Sequence, residues 1–528
     1  MKERRLLLAG ILLALIPVSC DPEKFFGSRG ERIDAEGTRS HGMIVLGEQL
    51  DDPYSVENVG KALQTLYPTR ARIDIKPTDI YVRFLPSGDE EFKILEETGI
   101  ELTDHPLDYR IVREGDYYHD PEIPDGEITW QYAVVPPDFD FPENIRHELL
   151  DRCYIFENDP ATRSDGIDWE AVEREAFRLT GNGDMLSGTR AGASYPATAP
   201  KGRIAIVDDA LDSEPFGVAG VKVSANTFVK FAHAYTDEEG YYKMERKFTS
   251  DVRYRIVFKN RKGFGIGVNL LLCPASVSTL GKSSPEGASI TVDRSSERKL
   301  FCRCVVNNAV WDYYGSCSVN GTSMKAPPSN LRLWLFQNMD ASSALMLQQG
   351  VYIDGTVVGD FLGSFSSLVK MFLPDVTLGM EGRSSYCEIY STAIHECAHA
   401  SHFMQAGQAY WEKYIKYVLT SFVTSGGITY GVGTETDHGY CEVGEMWAYY
   451  VQTRLYRDRY PDGSLSFGTS FWFSPQIFLY LDERGLDRFK IFSALTEDVT
   501  DRDILKDKLL ALYPESKSII TQAFVRYL

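Results

Sequence analysis

At 528 residues the chain is too long for one ordinary core, and about three domains are expected. An apolar share of 43% with 12% aromatic residues excludes a mainly disordered chain. A formal net charge of −20 argues against recognition of nucleic acid or anionic lipid through a basic surface.

The chain opens with Lys2, Arg4 and Arg5, continues through the almost purely apolar stretch 6–18, and reaches Ser19 and Cys20. That is a basic segment, an apolar segment too short to span a bilayer, and a processing site. The run Ile16-Pro17-Val18-Ser19-Cys20 resembles a bacterial lipoprotein lipobox, with Pro17 in place of the usual Leu-like residue. The resemblance implies cleavage before Cys20, acylation of Cys20, and an exported chain anchored to a membrane, an outer membrane facing periplasm or cell surface. An ordinary secretory signal cleaved near Ser19 is the alternative. Residues 1–19 are read as signal peptide and the polar stretch 20–42 as a tether. No later segment is apolar for long enough to cross a membrane. The later cysteines are Cys153, Cys273, Cys302, Cys304, Cys317, Cys387, Cys397 and Cys441. Their even number permits disulfides in an exported chain, and buried free thiols are the plain alternative.

Residues 43–200 read as a mixed α/β accessory domain. A strand over 80–85, a helix over 89–97 and an extended run at 100–102 form a β-α-β candidate. Pro121, Pro124, Pro136, Pro137 and Pro142 then predict irregular or edge structure, and a helix is expected over 169–179. Residues 201–295 carry short strands at 203–207, 221–224, 241–245 and 254–258, separated by turn residues. The segments Gly217-Val218-Ala219-Gly220-Val221-Lys222-Val223 and Thr236-Asp237-Glu238-Glu239-Gly240-Tyr241-Tyr242 resemble the carboxypeptidase regulatory-like (transthyretin-like) β-sandwich, which implies a spacer or docking module.

Residues 296–528 turn mostly helical. Helices are expected over 298–314, 385–405 (closed by Gly407) and 440–457, strands over 331–336 and 375–380, and amphipathic helices in the tail. The stretch 391–402 reads Ser-Thr-Ala-Ile-His-Glu-Cys-Ala-His-Ala-Ser-His. Within it, His395, Glu396 and His399 form H-E-x-x-H on a helix. The i, i+4 spacing puts both imidazoles on one face, a turn apart, and Glu396 beside a water on the metal. Two imidazoles and a carboxylate suit Zn²⁺. The flanking Ala393, Ile394, Ala398 and Ala400 predict a semi-buried helix, where unpartnered histidines would be costly.

A catalytic zinc site needs a third protein ligand. The metzincin pattern is excluded, because Gln405 stands where its histidine would be. His402, three residues past His399, is read as a satisfied or outer-shell histidine. The run Glu442-Val443-Gly444-Glu445-Met446-Trp447-Ala448 resembles the glutamate helix of gluzincin metallopeptidases. This resemblance implies Glu445 as third ligand, with Trp447 and Ala448 packing that helix on the core; Glu442, one turn earlier, is the alternative. It further implies that His438 or Tyr440 donates to the oxyanion. The glycine-rich 424–440 is a mobile lid or a hairpin. The strand at 375–380 is the candidate edge for an extended peptide.

The expected whole is a multidomain α+β protein: an N-terminal mixed α/β region, a central β-sandwich and a C-terminal zincin-like, mostly helical domain. Its expected activity is zinc-dependent hydrolysis of peptide or protein substrates with Glu396 as general base, and no nucleic-acid partner. The competing readings are an inactive zincin-fold scaffold lipoprotein and an adhesin-type surface protein whose motif is accidental.

Overall fold

The computed structural model describes residues 42–527 apart from 70–74, 125–126, 164–165, 188–193, 212–213, 268–274, 338–340, 353–373, 425–427, 429, 462 and 464–470. The expected signal segment 1–19, Cys20 as the expected anchor, the expected tether up to residue 41, and Cys273 lie outside the described residues. The secondary structure is mixed α and β, with helices and several sheets.

The N-terminal part runs β1 (Val45–Gln49), α1 (Val56–Leu66), β2 (Asp79–Leu85), α2 (Asp89–Glu97), β3 (Tyr109–Arg113), β4 (Gln131–Val135), β5 (Arg146–Cys153) and α3 (Trp169–Leu179). Ser55 and Asp168 cap α1 and α3 by accepting from Asn58 N and Ala171 N. The expected β-α-β unit does not form. Strand β2 lies between β4 and β5 and is antiparallel to both. Both its edges are filled by longer partners, so the three residues 100–102 find no ladder, and Ile100 and Leu102 pack instead against the cluster around Phe84 and Leu95. The proline-flanked β4 is an edge strand, as its composition predicts.

The middle runs β6 (Lys201–Ile206), β7 (Phe216–Gly217), β8 (Val221–Thr227), β9 (Lys230–Tyr235), β10 (Tyr241–Lys243), β11 (Val252–Asn260), β12 (Gly265–Gly267), β13 (Val277–Ser283) and β14 (Ile290–Val292). Then follow α4 (Arg298–Ser316), a small hairpin β15 (Ser318–Val319) and β16 (Thr322–Ser323), β17 (Arg332–Phe336), β18 (Ser343–Ala344) and β19 (Val376–Gly379). The chain ends with α5 (Tyr386–Ala406), α6 (Gln408–Thr424), α7 (His438–Arg459), α8 (Gln476–Asp482), α9 (Arg488–Ser493), α10 (Arg502–Leu512) and α11 (Lys517–Arg526).

Strand β6 sits between β10 and β14, with β7 also on β6. A larger sheet has the order β18-β19-β17-β12-β11-β8-β9, with β13 also on β11. This sheet crosses residue 295, because β12 runs parallel to β17. One apolar core likewise extends from Ile204 to Phe524. Helix α4 explains part of this continuity. Its Asn308 donates to Gly217 O at 2.9 Å and accepts from Ala219 N at 3.1 Å, so a polar helix face is satisfied by a buried β-turn rather than by water.

Strand β19 is not an edge. It pairs with β17 on one side and with β18 on the other, so the outer position belongs to β18. All seven cysteines among the described residues are free thiols.

Candidate metal centre

Helix α5 begins with a full capping box between Ser385 and Glu388 and ends at Gly407, whose φ of 86° is the left-handed region that glycine tolerates. It packs between α4, α7 and the strands β18 and β19. Helix α7 is locked on it by Trp447 Nε1, which donates to Ala398 O at 3.1 Å. This contact sets Glu445 opposite the histidine face.

The result is a convergent cluster. His395 Nε2 and His399 Nε2 stand 3.1 Å apart, and each lies 3.4 Å from a carboxylate oxygen of Glu445. All three side chains are buried. The two contacts reach different oxygens, Oε2 for His395 and Oε1 for His399, so the carboxylate spans both imidazoles, and one ligand atom from each residue lies within 4.8 Å of the others, a spread that a single metal ion can bridge. Two further groups hold these side chains in place. His395 Nδ1 donates to Gln452 Oε1 at 3.1 Å, which leaves the Nε2 lone pair facing the cluster, and Tyr414 OH donates to Glu445 Oε1 at 2.6 Å. Glu445 Oε2 is buried with no hydrogen-bond partner, an expensive state that a cation at this point would relieve. Burial opposes ionisation of Glu445, but His399 and His395 outweigh it and hold its carboxyl well below the usual range.

Glu396 is buried beside this cluster, and its Oε2 also lacks a hydrogen-bond partner. Burial raises its pKa, and the neighbouring histidines only partly offset this. A buried carboxylate with an idle oxygen beside the cluster suits the acceptance of a proton.

The other residues singled out from sequence lie elsewhere. Glu442 faces α10, with its carboxylate 3.4 Å from Arg502 Nε, and takes no part in the cluster. His438 and Tyr440 occupy the first turn of α7, about 10 and 7 Å along the axis before Glu445. There His438 Nδ1 donates to Glu435 O, and the Tyr440 ring rests on Tyr410. His402 is fully buried, and neither ring nitrogen has a hydrogen-bond partner, which removes the first of its two expected readings, a satisfied histidine, and leaves the outer-shell one. It is wedged between Tyr410 and Trp411, and burial pushes its pKa down to about 3, so the ring is neutral.

Two tyrosines not singled out from sequence stand closer. The Tyr449 ring lies 4.5 Å from the His395 ring, one turn after Glu445, and its hydroxyl meets that of Tyr430 at 3.2 Å. Burial raises both pKa values, so each hydroxyl keeps its proton and can donate. Tyr430 sits at φ 67°, a left-handed conformation that costs a non-glycine residue about 1–3 kcal/mol. Its carbonyl accepts from Tyr417 OH at 3.0 Å and Trp472 Nε1 at 3.1 Å, which fixes the strained residue. Helix α6, which supplies Trp411, Tyr414 and Tyr417, was also missed. The spacing of Tyr410, Trp411, Tyr414, Ile415 and Val418 is the signal for it.

Comparison with protein families, curated proteins and solved structures finds no match to this chain, so the site stands on its own geometry.

Proposed function

We propose that the chain is a zinc-dependent hydrolase of peptide bonds, with His395, His399 and Glu445 as ligands and Glu396 as general base. The observation that carries this reading is the buried convergence of His395 Nε2, His399 Nε2 and the Glu445 carboxylate within 4.8 Å of one another, beside the idle oxygen of Glu396. A zinc ion held there supplies Lewis acidity, making water nucleophilic at neutral pH and polarising the substrate carbonyl. Glu396 takes a proton from the attacking water and delivers it to the leaving amine. Tyr430, with Tyr449 holding its hydroxyl, donates to the oxygen that gains charge. His438 and Tyr440, the donors expected from sequence, are replaced in that role.

We read residues 296–528 as zincin-like, supported by the sheet over α5 and the glutamate on α7, and residues 201–295 as transthyretin-like, supported by the succession of short strands from β6 to β14, the two joined through the β12–β17 pairing and one core. With Cys20 acylated, the enzyme would work at a membrane surface.

The first test is metal content. The full chain should hold about one zinc, and His399→Ala and Glu445→Ala should lose it, whereas Glu442→Ala should keep it. No zinc under metal-replete conditions, or no cleavage of a quenched peptide library by a zinc-loaded chain, would sink the reading. Tyr430→Phe should keep its zinc and lower kcat about 100-fold with little change in KM, since the lost bond is made in the transition state. A change confined to KM would remove Tyr430 from the mechanism.

A further inference from the structure

A second convergence of metal-ligating atoms lies in the N-terminal part, between the start of α1 and the end of β5. Asp52, Asp151 and Cys153 each bring one ligand atom to within 4.8 Å of the others. Asp52 is only 8% exposed, and Cys153 is a fully buried free thiol. Asp52 Oδ1 accepts from Tyr54 N at 2.9 Å. Among the described residues Asp52 Oδ2 meets only Cys153 Sγ, at 4.0 Å, too long for a firm hydrogen bond. A buried carboxylate oxygen aimed at a thiol and lacking an adequate donor is a costly state. The surrounding charge adds to that cost, because the strongest charges acting on Asp52 and on Asp151 are those of other carboxylates, Asp108 and Asp51 on both.

The backbone holds this cluster ready. Ser55 and Cys153 form an antiparallel bridge, and Tyr154 N donates to Tyr54 O at 2.8 Å. The turn that carries Asp52 is therefore bonded directly to the strand that carries Cys153. Asp151 precedes Cys153 by two residues on β5, so strand alternation sends both side chains to one face. Among the described residues the Asp151 carboxylate accepts only from its neighbour Arg152 N, at 2.7 Å. Two carboxylates and a thiol thus face one another across a fixed gap.

We propose that Asp52, Asp151 and Cys153 form a second metal site, for a divalent ion of the zinc and cobalt class that accepts sulfur and oxygen together, and that this ion ties the start of α1 to the end of β5. The thiol disfavours calcium and magnesium, which take oxygen ligands. The ion supplies the positive charge that the carboxylates lack and binds Cys153 as thiolate, the thiol proton passing to water. The centre at His395 and His399, whose imidazoles bind without losing a proton near neutrality, takes the first equivalent of metal, and this site takes the next.

The test titrates the metal-free full chain with Co²⁺ alone. A thiolate bound to Co²⁺ gives an intense near-ultraviolet charge-transfer band, and the cluster of His395, His399 and Glu445 holds no sulfur. The band should grow in as the second equivalent binds, and it should persist in His399→Ala. Cys153→Ser should abolish it while leaving the first equivalent bound. Asp52→Asn and Asp151→Asn should each weaken binding of the second equivalent at least about tenfold. Asp151 is half-buried, so its variant decides the matter should Cys153→Ser fold poorly. No band at excess Co²⁺, a band unchanged in Cys153→Ser, or one unmoved by both aspartate variants overturns the site. None of these outcomes bears on the hydrolase reading, whose metal is the first equivalent.

Discussion

Glu396→Gln should lower turnover of a cleaved peptide by about 10²–10⁴-fold while leaving zinc stoichiometry unchanged. The two readouts separate because Glu396 lies outside the cluster of His395, His399 and Glu445; its carboxylate adjoins that cluster with one oxygen unpaired. Glutamine keeps the size and loses the proton acceptor, so KM should change little and the loss should fall on kcat. Turnover left intact would mean that another group takes the proton, and the mechanism would be wrong. Loss of zinc in this variant would instead mean that Glu396 ligates the metal or holds a ligand in place.

The largest stability effect is expected far from the site, at Lys230→Met. Lys230 is fully buried at the start of β9, with its ammonium 2.6 Å from Glu157 and 2.7 Å from Glu173. Glu173 also accepts from Tyr54 OH and Thr249 Oγ1, each at 2.7 Å. Burial opposes ionisation of Glu173, yet Lys230, joined by the Thr249 and Tyr54 hydroxyls, outweighs it and keeps its pKa below the usual carboxylate value. That stabilising term is present above the ordinary carboxylate range and fades as pH falls through the lower folded value. Removing the lysine strands the buried Glu173 carboxylate and the half-buried Glu157 beside it, which should cost about 3–5 kcal/mol. Urea unfolding followed by the fluorescence of Trp130 and Trp169, both in the N-terminal part, should show this as an earlier transition. Adding Glu157→Gln and Glu173→Gln to Lys230→Met should recover most of the loss, because the stranded charge is then gone. An unshifted midpoint in the single variant would show that water or another cation reaches these acids.

This network also couples the N-terminal part to the central strands. The β8–β9 turn carries Phe228 at φ 45° and Val229, both buried in a cluster with Tyr54 and Phe177. A two-residue turn of large apolar residues is opposite to the polar turn that hairpin chemistry favours, and only burial by a distant segment makes it stable here.

The parts legible in the sequence are those with a local cause. His395, Glu396 and His399 share one helix, so their spacing alone sets their relative directions. The capping box at Ser385 and the glycine at 407 mark the ends of that helix for the same reason. Glu445 was reachable because its own helix carries a recognisable pattern. What only the tertiary structure decided is everything that depends on which segments meet. Gln452 meets His395, Tyr414 meets Glu445, the hydroxyls of Tyr430 and Tyr449 meet each other, and Glu442 turns to Arg502, all through the packing of α5, α6, α7 and α10. The placement of β19 inside its sheet, and the antiparallel neighbours of β2, were likewise hidden. Strand pairing is a long-range choice among partners, and the charge state of a buried carboxyl depends on side chains far away in sequence. Local periodicity fixes the face a residue shares with its helix neighbours; the fold supplies what that face meets.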